Sequence, residues 1–346
     1  MKTIKRGFWL LSALLLLIIF TAACSNENSS GKANDQASGS SSEKAPEKIV
    51  LGYQVSPSGE LLAKALGLLE KKYPDIEIEW VKFDSGRDVN NAIASGSIDF
   101  GLVGTPPAAI GVASNMPYKV YYLHDIIGES EALVVKEDSG IQSLEDLKGK
   151  KIATTFSSTS HYSLLGALKN EGIDPVKENI TLLDMQPPDI YAAWQRGDID
   201  GAYIWQPIQS KLIAEQGKVI THSGKLAEQG VLTAELGIVH NDFAEKYPSI
   251  VDGYVDALDE AVKYYNEKPE ESAELLSKEL GLTPEESLVT MKQIVWLDAS
   301  KQKEYFNGPL AETLKETADF LVEQKAISSA PDLEAYKQAL LQAPHQ

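Results

Sequence analysis

Apolar positions along this chain switch between a period near two and a period near 3.6, and the switching repeats. Residues 49–56, IVLGYQVS, form a short apolar strand pattern that runs into a Ser-rich turn. A helical pattern comes next, with Leu61, Leu62, Ala65, Leu68 and Leu69 in phase, and it stops near Tyr73-Pro74, where proline cannot continue it. IEIEWVKF (76–83) alternates as a strand. The spacing then predicts a helix over 87–95, a strand over 98–103 and a helix over 106–113. Thr105 is the expected N-cap of that last helix, with Pro106 at its first position.

About a hundred residues later the pattern returns. At an offset of 101, KKIATTFS (150–157) aligns with IVLGYQVS, and AWQRGDIDGAYI (193–204) with AIASGSIDFGLV (92–103). Gly96 meets Gly197, Ile98 meets Ile199 and Asp99 meets Asp200. Leu164, Leu165 and Leu168 mark the second unit's helix, with Gly172 at its C-terminal end. TLLDM, IYAAWQRG and IDGAYIW read as strand, helix and strand, and from about 248 onward the pattern is helical. Two such units predict an α/β protein of two lobes, each a mainly parallel sheet flanked by helices. EALVVK and ELGIVH are the expected crossings, giving one lobe of 49–130 plus 236–346 and a second of 131–235.

The N-terminus changes this picture of a plain two-lobed body. MKTIKR is basic, and the 16 residues from Phe8 to Ala23 carry no charge. A spanning helix needs about 20 apolar residues, so residues 1–23 read as a signal peptide. Thr21-Ala22-Ala23-Cys24 resembles a bacterial lipobox, with Thr21 where Leu is usual. Cys24 is the only cysteine, which leaves no internal disulfide and makes it the expected lipidation site. Residues 24–48 are nearly free of apolar side chains and read as a flexible tether. The expected location is the extracytoplasmic face of a cell membrane, reached through the lipid. Formal net charge is −18, and loss of 1–23 removes three basic groups and no acid, taking it to −21. Nucleic acid is therefore not an expected partner, because phosphate contacts need clustered Lys and Arg.

Enzyme signatures are missing. The sequence has no G-x-S-x-G, no P-loop and no HExxH, and its five histidines lie without metal-ligand spacing. No cofactor is implied. Binding signals are stronger. Open α/β sheets bind ligands beyond the carboxyl ends of their strands. Three such ends run into polar helix starts: Gln54-Val55-Ser56-Pro57-Ser58, Gly104-Thr105-Pro106 and Phe156-Ser157-Ser158-Thr159-Ser160. Helix N-termini suit an anion. Glu131 and Glu235 each interrupt an apolar strand at a crossing, where a carboxylate either faces the cleft or finds a partner. Trp205, past the second unit's strand, is the aromatic placed to wall a cleft.

At these residues a resemblance enters. FDSG (83–86), SEALVVK (130–136), STSHYSLLGALK (158–169) and MQPPDIYAAWQRGDIDGAYIW (185–205) are similar to the taurine-binding proteins within the sulfonate/nitrate/taurine substrate-binding family of bacterial ABC importers. The resemblance implies a type II periplasmic binding fold, two lobes closing over a ligand. It implies a small sulfonate, an ABC permease and, through it, an ATPase as partners. For a zwitterion such as taurine, Thr105, Ser158 and Thr159 at helix starts would hold the sulfonate, with Pro106 beside Thr105 as a further residue of the ligand site. Glu131 and Glu235 would hold the ammonium. Gln54 and His161 match the family pattern, Gln54 as a further ligand contact and His161 as either a ligand contact or a packing residue just inside its helix, while Glu235 stands where Asp is expected. A receptor for aliphatic sulfonates or another small anion is the alternative.

Overall fold

The computed structural model describes residues 45–342. The signal segment, Cys24 and most of the tether lie outside the described residues. Among the described residues the strands are β1 (Lys48–Gln54), β2 (Glu77–Phe83), β3 (Phe100–Gly104), β4 (Tyr118–Ile126), β5 (Glu131–Lys136), β6 (Lys151–Thr154), β7 (Thr181–Asp184), β8 (Gly201–Trp205), β9 (Gly217–His222), β10 (Ala234–His240) and β11 (Val295–Trp296). They build two sheets, in the orders β11-β4-β10-β3-β1-β2 and β7-β6-β8-β5-β9.

Set side by side, the sheets share one topology. β1, β2 and β3 of the first correspond to β6, β7 and β8 of the second, and β3 and β8 start 101 residues apart, at Phe100 and Gly201. The crossing strands exchange places: β10 lies between β3 and β4, and β5 lies between β8 and β9. The repeated Gly and Asp do the same work twice. Gly96 and Gly197 both take the left-handed conformation that ends a helix, at φ 69° and 77°. Asp99 Oδ2 accepts from the Val50 amide at 2.8 Å, and Asp200 Oδ2 accepts from the Lys151 amide at 2.8 Å. Each Asp ties its central strand to the neighbour at the point where the chain turns in.

The sheets are more mixed than the alternation of strands and helices predicts. β1 pairs in parallel with β2 and β3, and β6 with β7 and β8, but every pairing of β5 and β10 is antiparallel. A strand that crosses from the other lobe enters its sheet from the opposite end, so it runs against the strands beside it. Apolar side chains alternate on both faces. On β1, Ile49, Leu51 and Tyr53 face one cluster, with Phe100 and Tyr254, while Val50 packs on the other, with Val103 and Leu236. On β5, Leu133 and Val135 join one cluster and Val134 the opposite one. Burial on both faces fixes the register of each strand.

Helices begin at the carboxyl ends of the parallel strands, and three of them bring their first residues to the space between the two sheets. Helix Gly86–Ala94 succeeds β2, helix Thr105–Ala113 succeeds β3 and helix Thr159–Asn170 succeeds β6. The second differs from the sequence expectation by one residue. Gly104 is its N-cap, Thr105 is already helical, and Pro106 and Pro107 come next. Those prolines carry no N–H, so the first turn keeps the Thr105 amide as its donor. No helix among the described residues is long and apolar enough to cross a membrane.

Candidate functional site

Two small cavities lie between the sheets and share walls. One, of about 30 Å³, is lined by Gln54, Ser56, Pro57, Asp125, Ile127, Ser130, Trp205, Gln206, Glu235 and Ile294. The other, of about 10 Å³, is lined by Gln54, Gly86, Gly104, Pro107, Ser158, Thr159, Trp205 and Glu235. Gln54, Trp205 and Glu235 belong to both, so the two form the ends of one cleft. Gln54 and Trp205 also border an outer cavity of about 360 Å³, which continues the space toward Phe83, Pro187 and Pro188.

The two ends differ in chemistry. Gly86, Gly104, Ser158 and Thr159 bring the N-termini of three helices to the smaller cavity. Each N-terminus carries a partial positive charge and outward amides. The third start is firmly built. Ser158 Oγ donates to Thr155 O at 2.6 Å and accepts from the His161 amide at 3.3 Å. The larger cavity is acidic. Glu235 and Asp125 are cross-strand partners on β10 and β4. Glu235 Oε2 and Asp125 Oδ1 are buried and meet no donor among the described residues. Burial pushes the Asp125 carboxyl up to about 8. Burial also holds Glu235 well above the usual carboxylate range, with Asp125, Glu131 and Glu60 adding repulsion. Among the described residues, no Lys, Arg or His lines either cavity.

Of the residues expected from sequence, Gln54, Ser158, Thr159, Trp205 and Glu235 meet in this cleft. Gln54 Nε2 donates to Leu102 O at 2.9 Å, which anchors the side chain and leaves its amide oxygen available. Four others stand apart. Thr105 and Pro106 are buried, and neither lines either of the two cleft cavities; Gly104 and Pro107 take their place. His161 stacks on Phe156, with ring centroids 4.3 Å apart, beside an outer groove on the far side of its helix. Its Nδ1 accepts from the Ser157 amide, which steadies Ser157 at φ 65°, and burial lowers its pKa to about 4.

Glu131 departs furthest from its expected place. It is buried but lines neither cavity. Thr159, Ser160 and Ser223 hydroxyls donate to its carboxylate at 2.5, 2.8 and 2.6 Å, and Ser163 adds a longer bond at 3.3 Å. A carboxylate so filled has little left for an ammonium; it fastens the helix at Thr159 instead. Asp125 is the acid that sequence reasoning missed, though it too interrupts an apolar strand, in VYYLHDII.

The lobes also touch across the cleft. Arg87 Nη1 lies 2.9 Å from Asp184 Oδ2, and Gln186 Nε2 donates to Asp88 Oδ2 at 3.0 Å. A Cβ placed on Gly104 would lie 2.4 Å from Thr159 Cγ2. The lobes are therefore closed on one another.

Residues 56–272 match the NMT1/THI5-like family, a span holding most of both sheets and the cleft. The chain belongs to that family. It is 37% identical to the taurine-binding periplasmic protein of Escherichia coli over 83% of this chain and 90% of that protein. The crystal structure of the periplasmic aliphatic sulphonate binding protein SsuA of Escherichia coli superposes with a TM-score of 0.67 at 27% identity, covering 84% of this chain and 92% of that one. The fold is thus that of the periplasmic binding proteins. The desulfurization enzyme DSZB shares it as well, at a TM-score of 0.59 and 16% identity, over 83% of this chain and 96% of that one.

Proposed function

We propose that this family member is the extracytoplasmic binding protein of an ABC importer and captures taurine or a close aminosulfonate between its lobes. The observation that carries the reading is the cleft's polarity, with three helix N-termini at one end, Asp125 at the other, and the carboxylate of Glu235, with one oxygen unpartnered among the described residues, on the wall the two ends share. A sulfonate suits the first end and an ammonium the second. The names of its relatives, a taurine-binding protein and a sulphonate-binding protein, agree with a sulfonate ligand.

A zwitterion also meets the protein's charge. An anion without an ammonium would approach the acid pair Glu235 and Asp125 unscreened, at a cost of roughly a kcal/mol at short range for each carboxylate that is ionised. That weighs against the second reading, a receptor for simple aliphatic sulfonates, which the likeness to SsuA otherwise favours. No reaction is required.

Binding closes the lobes because one small guest touches both. The closed form then meets a membrane permease driven by an ATPase. Cys24 carries the lipid that keeps the protein at the extracytoplasmic face. Calorimetry on residues 25–346 with taurine, ethanesulfonate, β-alanine and sulfate tests the ligand assignment. Taurine is expected to bind best of the four. Equal affinity for taurine and ethanesulfonate would transfer the protein to the simple sulfonate class.

A further inference from the structure

Asp125 and Glu235 sit opposite one another on adjacent antiparallel strands and line the same cavity, each with a buried oxygen that no donor among the described residues reaches. The surrounding titratable groups offer no relief. Glu60, in the helix Gly59–Leu66, is buried with one oxygen unpartnered, and Glu131 contributes a further acid from β5. His124, beside Asp125 on β4, is fully buried and kept neutral, its pKa lowered to about 3. The cavity's other polar walls are Gln54, Ser56, Ser130 and Gln206, which carry no charge.

Two facing carboxylates without a cation cannot both ionise cheaply in a confined space. A proton shared between them removes the repulsion and lets one act as donor. An ammonium group does the same job better, because it brings a full charge and three donors. The two neutralising agents compete for the same oxygens.

We propose that Asp125 and Glu235 together hold one proton before the ligand enters and release it to solvent as the ligand's ammonium takes its place, so that Asp125 determines both the charge class accepted and the pH dependence of capture. The proposal rests on the aminosulfonate reading and adds to it. The charge balances: one proton leaves, one ammonium arrives, and the pair is fully ionised in the complex. The raised positions of both carboxyls agree with a proton held near neutrality.

The test is calorimetry of the mature chain with taurine at about pH 6.5, in buffers of different ionisation enthalpy. Close to one proton released per taurine is expected, with affinity rising toward tenfold per pH unit between about pH 5.5 and 7. Ethanesulfonate should release none. In Asp125→Asn, release should fall to near zero and the pH slope should flatten. Carboxyl carbon NMR of the ligand-free protein supplies a readout that needs no variant and no ligand: one of the two groups should titrate near neutrality. Tight taurine binding with no dependence on buffer would overturn the inference and leave the aminosulfonate reading intact. So would titration of both carboxyls in the ordinary acid range. Failure of taurine to bind at all would overturn both.

Discussion

Arg87 Nη1 and Asp184 Oδ2, 2.9 Å apart, join the two lobes at the edge of the cleft. Each belongs to a wall of the anion end. Arg87 adjoins Gly86, which lines the smaller cavity, and Asp184 Oδ1 accepts from the Phe156 amide at 2.9 Å, in the turn that leads to Ser158. The bridge is half exposed, so its own worth is about 1 kcal/mol or less. Arg87→Ala is expected to weaken taurine by about threefold, mainly through faster dissociation, with little change in melting temperature. Stopped-flow binding measures this. Asp184→Ala should weaken it more, because it also frees the Phe156 amide.

Gly104 faces Thr159 across the cleft with no room for a methyl group. Its φ of −75° is open to any residue, so the glycine serves the approach of the lobes and not the backbone angle. Threonine is stiff at its first torsion and cannot easily yield. Gly104→Ala should prop the lobes apart and reduce taurine affinity by about tenfold or more while leaving thermal stability close to that of the parent. Small-angle scattering with saturating ligand would reveal the incomplete closure.

Glu131 receives four hydroxyl donors, from Thr159, Ser160, Ser163 and Ser223. Removing it takes this acceptor from Thr159 and Ser160, while Ser163 and Ser223 keep each other and Ser223 keeps Tyr203. Glu131→Ala is expected to cost about 3 kcal/mol of stability, judged from the usual penalty for unpaired buried polar groups. Denaturant unfolding measures that cost. The ratio of taurine to ethanesulfonate affinity should stay unchanged. A collapse of that ratio, with stability intact, would restore Glu131 to the ammonium.

Stability should also depend on pH with an unusual sign. Glu60 and Asp125 are both pushed up to about 8 by burial, far above an unfolded carboxyl. The folded state therefore holds protons that the unfolded chain has lost between roughly pH 4 and 8. Stability from these groups is complete below the ordinary carboxylate range and declines as pH rises toward about 8. His124 and His161, held neutral by burial, act in the opposite direction up to about pH 6.5, so the melting temperature of the ligand-free protein should fall chiefly between about pH 6.5 and 8. Glu60→Gln and Asp125→Asn should each make the decline shallower.

Much of this architecture is visible in the sequence because one local device is written twice. Gly96 with Asp99, and Gly197 with Asp200, mark the same helix end and the same strand-to-strand tie, so the offset of 101 carries real structural content. The helix starts at Ser158 and Gly104 come from small polar residues after apolar runs. Asp125 was hidden for a different reason. Between Glu235 and Leu236 the pairing with β4 slips from Asp125 to Leu123, so a bulge at His124 resets which side chains share a face. A bulge inserts one residue into a two-residue period, and no count along a single strand exposes it. Glu131 misled for the opposite reason. As a charge in an apolar strand it stood out, but its hydroxyl partners, spread from Thr159 to Ser223, come together only in the folded lobe.

The most direct measurement is the taurine-to-ethanesulfonate affinity ratio in the parent protein and in Glu235→Gln, determined by calorimetry under one set of conditions. A dipolar cleft requires the parent to favour taurine and the variant to lose at least about tenfold of that preference, about 1.4 kcal/mol, while ethanesulfonate binds as well as before or better. An unchanged ratio in the variant would contradict it.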